Sequence, residues 1–204
     1  MFIPTIFEIK DKETAYSIME ENAFALLISQ HDGKPYATHL PMVVDKEHGY
    51  LYGHFARANP QWKDIGNQNV LAVFQGPHSY ISPSWYETQR AVPTWNYVTV
   101  HAYGKLEIIE NQNELFHAMR KLVLNYEGSS QSYDYDQLEP QFIEGLAKGL
   151  VAFKIKISRL EGKAKLSQDH TAERQKLVIE QLEKKTDENS RMIADLMKEN
   201  LNKN

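Results

Sequence analysis

The chain contains no cysteine, which excludes disulfides, thiolate nucleophiles and cysteine-built zinc sites. It has no apolar run near the ~20 residues that a membrane helix needs. Its opening, MFIPTIFEIK, lacks the long apolar core of a signal peptide. No membrane partner is expected, and the expected compartment is the cytoplasm. Nor does one sign of charge dominate: 23 Lys and Arg stand against 27 Asp and Glu, a formal net charge of −4. That balance gives no general attraction to nucleic acid. The nucleophile elbow G-x-S-x-G, the dinucleotide fingerprint G-x-G-x-x-G, the P-loop and H-E-x-x-H are all missing, so nothing points to serine hydrolysis, Rossmann or Walker nucleotide binding, or a zincin centre.

What is present is an ordinary globular composition, 42% hydrophobic and 25% charged over 204 residues, enough for one domain with an appendage. Asp11 is placed to cap a helix over 13–22. Ala23 to Ser29 reads as a buried strand, His31-Asp32-Gly33-Lys34 as a turn, and Tyr36 to Val44 as the partner strand, with Pro41 marking an edge or bulge. Further strands are expected at 50–55, 70–75, 95–109 and 151–157. Asn111 and Glu114 form a capping pair for a helix reaching Tyr126. Gly128 to Gln137 reads as a polar loop, and Pro140 opens a short helix that Gly149 closes. Glu161 to Gln168 reads as a loop before two helices at 171–184 and 187–202. Six strands with short turns and interspersed helices predict an α+β, mainly β fold built on a small barrel. Residues 1–158 form its body and 159–204 a C-terminal helical extension.

The stretch Tyr50 to Gly66, YLYGHFARANPQWKDIG, brings a strand and Arg57 to a turn that Asn59 can cap and Pro60 can open. Trp62, Lys63 and Ile65 then read as helical, with Gly66 as the stop. Such a corner suits an anion, and equally suits a plain strand-to-helix connection with a surface arginine. His39, His54 and His101 fall on three strands without metal-ligand spacing, so hydrogen bonding at an interface or to a ligand is expected. In 95–109 the residues Val98, Val100, Ala102 and Leu106 alternate with Trp95, Tyr97, Thr99, His101 and Tyr103. The second set, joined by Tyr52 and His54, is aromatic and hydrogen-bonding rather than charged, the composition of an interface core. A two-fold dimer burying it, with a planar cofactor in each cleft, and a dimer without cofactor both fit the pattern.

The segments MFIPTIF, HFARANPQWK, FQGPHSYISPSWY, VPTWNYVTVHAYGKLE and KLSQDHTAERQKLVIEQL together resemble the PaiB family of bacterial FMN-binding negative transcriptional regulators. That family is related to the split-barrel flavoproteins typified by pyridoxamine phosphate oxidase. The resemblance implies a six-stranded split β-barrel with peripheral helices, a homodimer, and bound FMN. It also implies repression of sporulation and of degradative-enzyme and protease synthesis. Carried onto this chain, cofactor-binding positions fall at Thr38, His39, His54, Arg57, Ala58, Asn59, Trp62, Trp95 and Tyr97, with Tyr52 and His54 facing the partner subunit. No catalytic residue and no metal is implied. The second strand reads ATHLPM and the third ends ARAN, so the basic pairs of the oxidase pattern are missing and its reaction is not expected. The resemblance implies DNA as a partner, but residues 159–204 carry ten Lys and Arg against nine Asp and Glu, which makes no basic arm. The alternative functions are a flavin-dependent oxidoreductase or flavin reductase, and a haem-binding split-barrel protein.

Overall fold

The computed structural model describes residues 1–127 and 134–202, so most of the expected loop at 128–137 lies outside the described residues. In chain order the elements are β1 Glu8–Ile9, α1 Lys12–Glu21, β2 Phe24–His31, β3 Lys34–Pro41, β4 Val43–Asp45, β5 Tyr50–Ala56, β6 Asn69–Ile81, β7 Thr94–Ile108, α2 Gln112–Glu127, α3 Pro140–Ala147, β8 Leu150–Lys165, α4 Ala172–Glu183 and α5 Glu188–Asn202. Short 3₁₀ turns occupy Thr5–Phe7, Pro60–Lys63, Pro83–Trp85 and Tyr135–Gln137.

Local chemistry explains most boundaries. Asp11 accepts from the Thr14 amide and hydroxyl at 2.8 and 2.7 Å. Asn111 accepts from the Glu114 amide, and Thr171 from the Arg174 amide; each closes an N-terminal donor that α1, α2 or α4 would otherwise leave open. Between β2 and β3, Asp32 and Gly33 both take positive φ, 52° and 69°, which suits the twist of a two-residue hairpin.

Eight strands form the sheet among the described residues, in the order β3-β2-β6-β7-β8-β5-β4, with β1 added on β8. The expectation of six is corrected at two places. The strand expected over 36–44 breaks at Met42, whose amide leaves the ladder for the Ala23 carbonyl at 2.8 Å. Side-chain phase slips there, so Val43 rather than Val44 is buried. Glu8–Ile9 then adds a two-residue strand opposite Lys163 and Gly162. Two other strands outrun their expected lengths. β6 passes through Gly76 and Pro77, both buried, and continues to Ile81. β8 runs to Lys165 where a loop was expected, because Gly162 lets Ile9 lie against it; a Cβ there would sit 2.8 Å from the Ile9 Cβ.

The chain divides into two compact units, one of residues 1–18, 75–100 and 161–204, the other of 19–74 and 101–160. In the second, Leu51, Phe55, Phe153 and Ile155 are fully or almost fully buried, with the Phe55 and Phe153 rings 4.8 Å apart. Gly104 is required there, since a Cβ would collide with the Lys156 carbonyl oxygen. In the first, α4 and α5 bury Val178, Leu182, Ile193 and Met197 against Ile81, Val98 and Leu166. Each such side chain contributes roughly 1.5–3 kcal/mol on burial.

Candidate functional site

In the 19–74/101–160 unit, β5 delivers the chain to the corner expected from its sequence. The Arg57 amide donates to the Gly149 carbonyl at 2.8 Å. Its side chain reaches the same connection, Nε donating to the Lys148 carbonyl and Nη2 to the Leu150 carbonyl, each at 2.6 Å. The guanidinium is thus fixed in plane and exposed, and among the described residues Nη1 has no hydrogen bond. Trp62 Nε1 donates to the Arg57 carbonyl at 2.8 Å. Ala58 is exposed and separates these two anchors.

Asn59 does cap the turn, its side chain accepting from the Gln61 amide at 3.0 Å. The helix that follows is a single 3₁₀ turn, Pro60–Lys63, too short to carry the dipole of an α-helix N-terminus. It ends before Ile65, and the left-handed position belongs to Asn67, φ 66°, rather than Gly66. Asn59 and Thr38 are tied to one another, Nδ2 donating to the Thr38 hydroxyl at 2.9 Å. That hydroxyl in turn donates to Gln61 Oε1 at 2.5 Å, and Gln61 Nε2 donates to the Ser29 hydroxyl at 2.9 Å. Gln61 is fully buried and is the hub that sequence reasoning missed. A glutamine after Asn-Pro reads as a surface residue, and its partners lie on β2 and β3.

His54 lies on β5 opposite Ala152 of β8. Its Nδ1 is buried without a hydrogen-bond partner, and burial pushes its pKa below the usual histidine value. The ring is therefore neutral near pH 7, with one polar atom left unanswered. Its neighbour Tyr52 packs with Leu115 against Ile109, Ala118 and Ala152, so α2 of the same chain covers the position expected to face a partner. Lysines sit over this face: Lys121 Nζ is 5.5 Å from the Tyr52 ring centroid and Lys156 Nζ is 4.4 Å from that of Tyr50. Lys121 also pairs with buried Asp45 at 2.9 Å. Burial alone would raise the Asp45 pKa, but hydrogen bonds from Lys121 and His48 outweigh it and hold the carboxyl at about 2.

His39 is exposed and stacks on Phe24 at 5.9 Å, apart from the Thr38–Asn59–Gln61 network. A further histidine, His31, latches the β2–β3 turn, Nδ1 lying 2.9 Å from Asp64 Oδ1. With Asp32 these two make a triad whose ligand atoms lie within 4.8 Å. The remaining expected residues, Trp95 and Tyr97, belong to the other unit. There Trp95 is exposed beside His78 and Tyr80, and Tyr97 lies beneath Lys163, whose Nζ is 5.1 Å from its ring.

A family described as "Putative FMN-binding domain" matches residues 1–159. The chain belongs to this FMN-binding family. It is 40% identical to "Protease synthase and sporulation protein PAI 2" of Bacillus subtilis, an alignment covering 100% of this chain and 99% of that one. Among solved structures it is similar to an FAD- and haem-binding protein of Mycobacterium smegmatis, with TM-score 0.63 and 13% identity over 82% of this chain and 78% of that one. It is also similar to the flavocytochrome Anf3 of Azotobacter vinelandii, with TM-score 0.62 and 17% identity over 78% and 69%. At these identities the two likenesses establish the fold alone, a mainly antiparallel sheet with helices.

The FMN implied by the family can be tested against the corner. A flavin phosphate needs donors and a cation, and Arg57 offers both through Nη1 on a side chain already held flat. A flavin ring edge carries an N–H and carbonyls, and the unanswered Nδ1 of neutral His54 can donate or accept. These residues fit the cofactor. Thr38 and Asn59 fit as the frame of the corner, since they hydrogen-bond to each other and to Gln61.

Proposed function

We propose that this protein is an FMN-binding, homodimeric negative regulator of protease synthesis and sporulation acting in the cytoplasm. The end-to-end 40% identity to the Bacillus subtilis protease-synthase and sporulation protein carries this reading. The family match ends at residue 159, which supports a flavin-binding body of 1–158 and an extension of 159–204, although β8 itself continues to Lys165.

Bound FMN supplies a two-electron redox centre. Arg57 holds the phosphate through its outward N–H groups, and His54 meets a polar edge of the cofactor. Trp62 fixes the backbone that presents Arg57. Asn59 and Thr38 keep the turn from shifting, and exposed Ala58 leaves the approach to Arg57 open, while His39, stacked on Phe24, takes no part in the corner. The roles assigned to these residues are binding and positioning, as a flavin-bound regulator requires. The near balance of charge in 159–204 favours regulation through a small molecule or a protein partner over a basic DNA-binding arm.

The deciding experiment is titration of the purified protein with FMN, followed by flavin absorbance, fluorescence quenching and sedimentation. Saturable binding to a dimer is expected, with lower affinity in Arg57→Ala. Absence of binding at tens of micromolar FMN removes the flavin from the proposal. Deletion of the gene is expected to raise protease output and advance sporulation in a spore-forming host; unchanged output removes the regulatory role.

A further inference from the structure

The β2–β3 turn carries a set of side chains that the FMN corner does not use. His31 ends β2, Asp32 follows it in the turn, and Asp64 closes the Pro60–Lys63 turn. One ligand atom from each lies within 4.8 Å of the others. Donors bound to one ion at about 2.0–2.2 Å stand roughly 3–4 Å apart. His31 Nδ1 and Asp64 Oδ1, 2.9 Å apart, already have nearly that spacing, and His31 Nε2 is 3.8 Å from Asp32 Oδ2. The Asp32 side chain is 86% exposed, so it can rotate to complete the set.

Both ring nitrogens of His31 therefore face carboxylates. A neutral imidazole has one N–H and one lone pair, so it answers one carboxylate and opposes the other. An imidazolium still sets one positive charge against two negative ones. Lys34 lies opposite His31 in the hairpin, yet among the described residues neither carboxylate forms an ion pair with a lysine or arginine. Hydrogen bonds from His31 and from the Asp32 amide hold the Asp64 carboxyl below the usual carboxylate range, so it is ionised as a ligand must be.

The scaffold is also set in advance. The Asp32 amide donates to Asp64 Oδ2 at 3.1 Å. Gln68 Nε2 donates to the Asp64 carbonyl at 2.7 Å and to the Gln30 carbonyl at 3.0 Å, which ties the Asp64 backbone to β2. Tyr36 stands edge-on to the His31 ring, with centroids 5.5 Å apart. Side chains oriented in this way need little reordering to receive an ion.

We infer that His31 Nδ1, Asp64 and Asp32 bind a divalent transition-metal ion, with water in the remaining positions. The imidazole favours zinc, nickel or iron over magnesium and calcium, which take oxygen ligands. Bound there, the ion staples the β2–β3 turn to the end of the Pro60–Lys63 turn. Asp64 is 33 positions from His31, so no short ligand spacing announces the set. All three residues belong to the 19–74/101–160 unit, and none is among those proposed to hold FMN.

The test uses the full-length protein without a tag, stripped with EDTA, dialysed and titrated with Zn²⁺ by calorimetry. The chain has no cysteine, so no thiolate competes. One saturable Zn²⁺ per chain is expected, with a raised melting temperature, and no comparable binding of Mg²⁺. Removing a group that only orients a metal ligand costs about 10–100-fold in affinity. His31→Ala, Asp64→Asn and Asp32→Asn are therefore each expected to weaken Zn²⁺ by about tenfold or more. His48→Ala removes another exposed histidine that pairs with an aspartate, Asp45, and is expected to leave Zn²⁺ binding unchanged. Asp32→Asn keeps the His31–Asp64 contact, so its result is readable whatever His31→Ala does to folding. Absence of saturable Zn²⁺ binding at tens of micromolar overturns the inference. So does Zn²⁺ binding that ignores Asp32→Asn and Asp64→Asn, or that falls with His48→Ala. Mg²⁺ binding as tightly as Zn²⁺ overturns the assigned class of ion. FMN titration is read separately, so failure of one site leaves the other standing.

Discussion

Arg57 and Trp62 clasp one another across the turn after β5: the indole N–H donates to the Arg57 carbonyl, and the guanidinium carbon stands 6.0 Å from the indole centroid. The exposed arginine is thereby held from two sides, by Trp62 and by the carbonyls of Lys148 and Leu150. Arg57→Ala is expected to cost about 1–2 kcal/mol of stability, discounted for exposure, and tenfold or more in FMN affinity. Arg57→Lys keeps the charge but lacks the planar fork that spans both carbonyls. It should recover part of the FMN affinity and little of the stability. Urea unfolding and flavin titration on the three proteins check both statements.

His54→Leu separates folding from binding. The substitution removes a buried ring nitrogen with no partner, so the FMN-free protein is expected to gain up to about 1 kcal/mol while FMN binds less tightly. Because burial depresses the folded-state pKa of His54, its neutral form stabilises the fold above the unfolded histidine value. That contribution is lost as pH falls from there through the depressed folded value. The variant should lose this acid-side slope. Melting curves across that pH range, with and without FMN, test all three points.

Asp45 governs a lower pH window. Its carboxyl is held at about 2 against an unfolded value near 3.9, so the ionised form contributes roughly 2 kcal/mol. That stability is present in full above the unfolded pKa and disappears as pH falls from about 4 to about 2. Asp45→Asn is expected to be less stable than the parent at neutral pH, and to converge with it near pH 2. A parallel pair of acid titrations followed by circular dichroism measures the gap.

Gln61→Leu is expected to cost roughly 2–4 kcal/mol. It leaves the Ser29 and Thr38 hydroxyls, both satisfied in the parent through Gln61, without their buried partner. The loss should appear in urea midpoints whether or not FMN is present.

Legibility in the sequence followed the range of each interaction. Asp11 with Thr14, Asn111 with Glu114, and the Asp32-Gly33 turn are settled by neighbours three residues away or fewer, and the sequence announced all of them. The Met42 break was half announced by Pro41, but the atom that decides it, the Ala23 carbonyl, lies 19 positions earlier. Arg57 could be singled out by type. The carbonyls that aim it come from residues more than 90 positions later, and no local pattern encodes them. Gln61 was illegible for a related reason: its burial depends on β2 and β3 closing over a turn whose own sequence is polar.

The long strand β8 carries a consequence for biosynthesis. Residues 150–160 belong to one compact unit and 161–165 to the other, whose remaining parts come from 1–18, 75–100 and the chain beyond 165. Neither unit is a contiguous piece of chain, and each joins segments far apart in sequence, which slows folding. On the ribosome the N-terminal 18 residues must wait for partners made after position 160. That unit therefore closes only after position 160 is made, and a nascent chain stopped before α4 leaves Ile81, Val98 and Leu166 uncovered and open to aggregation.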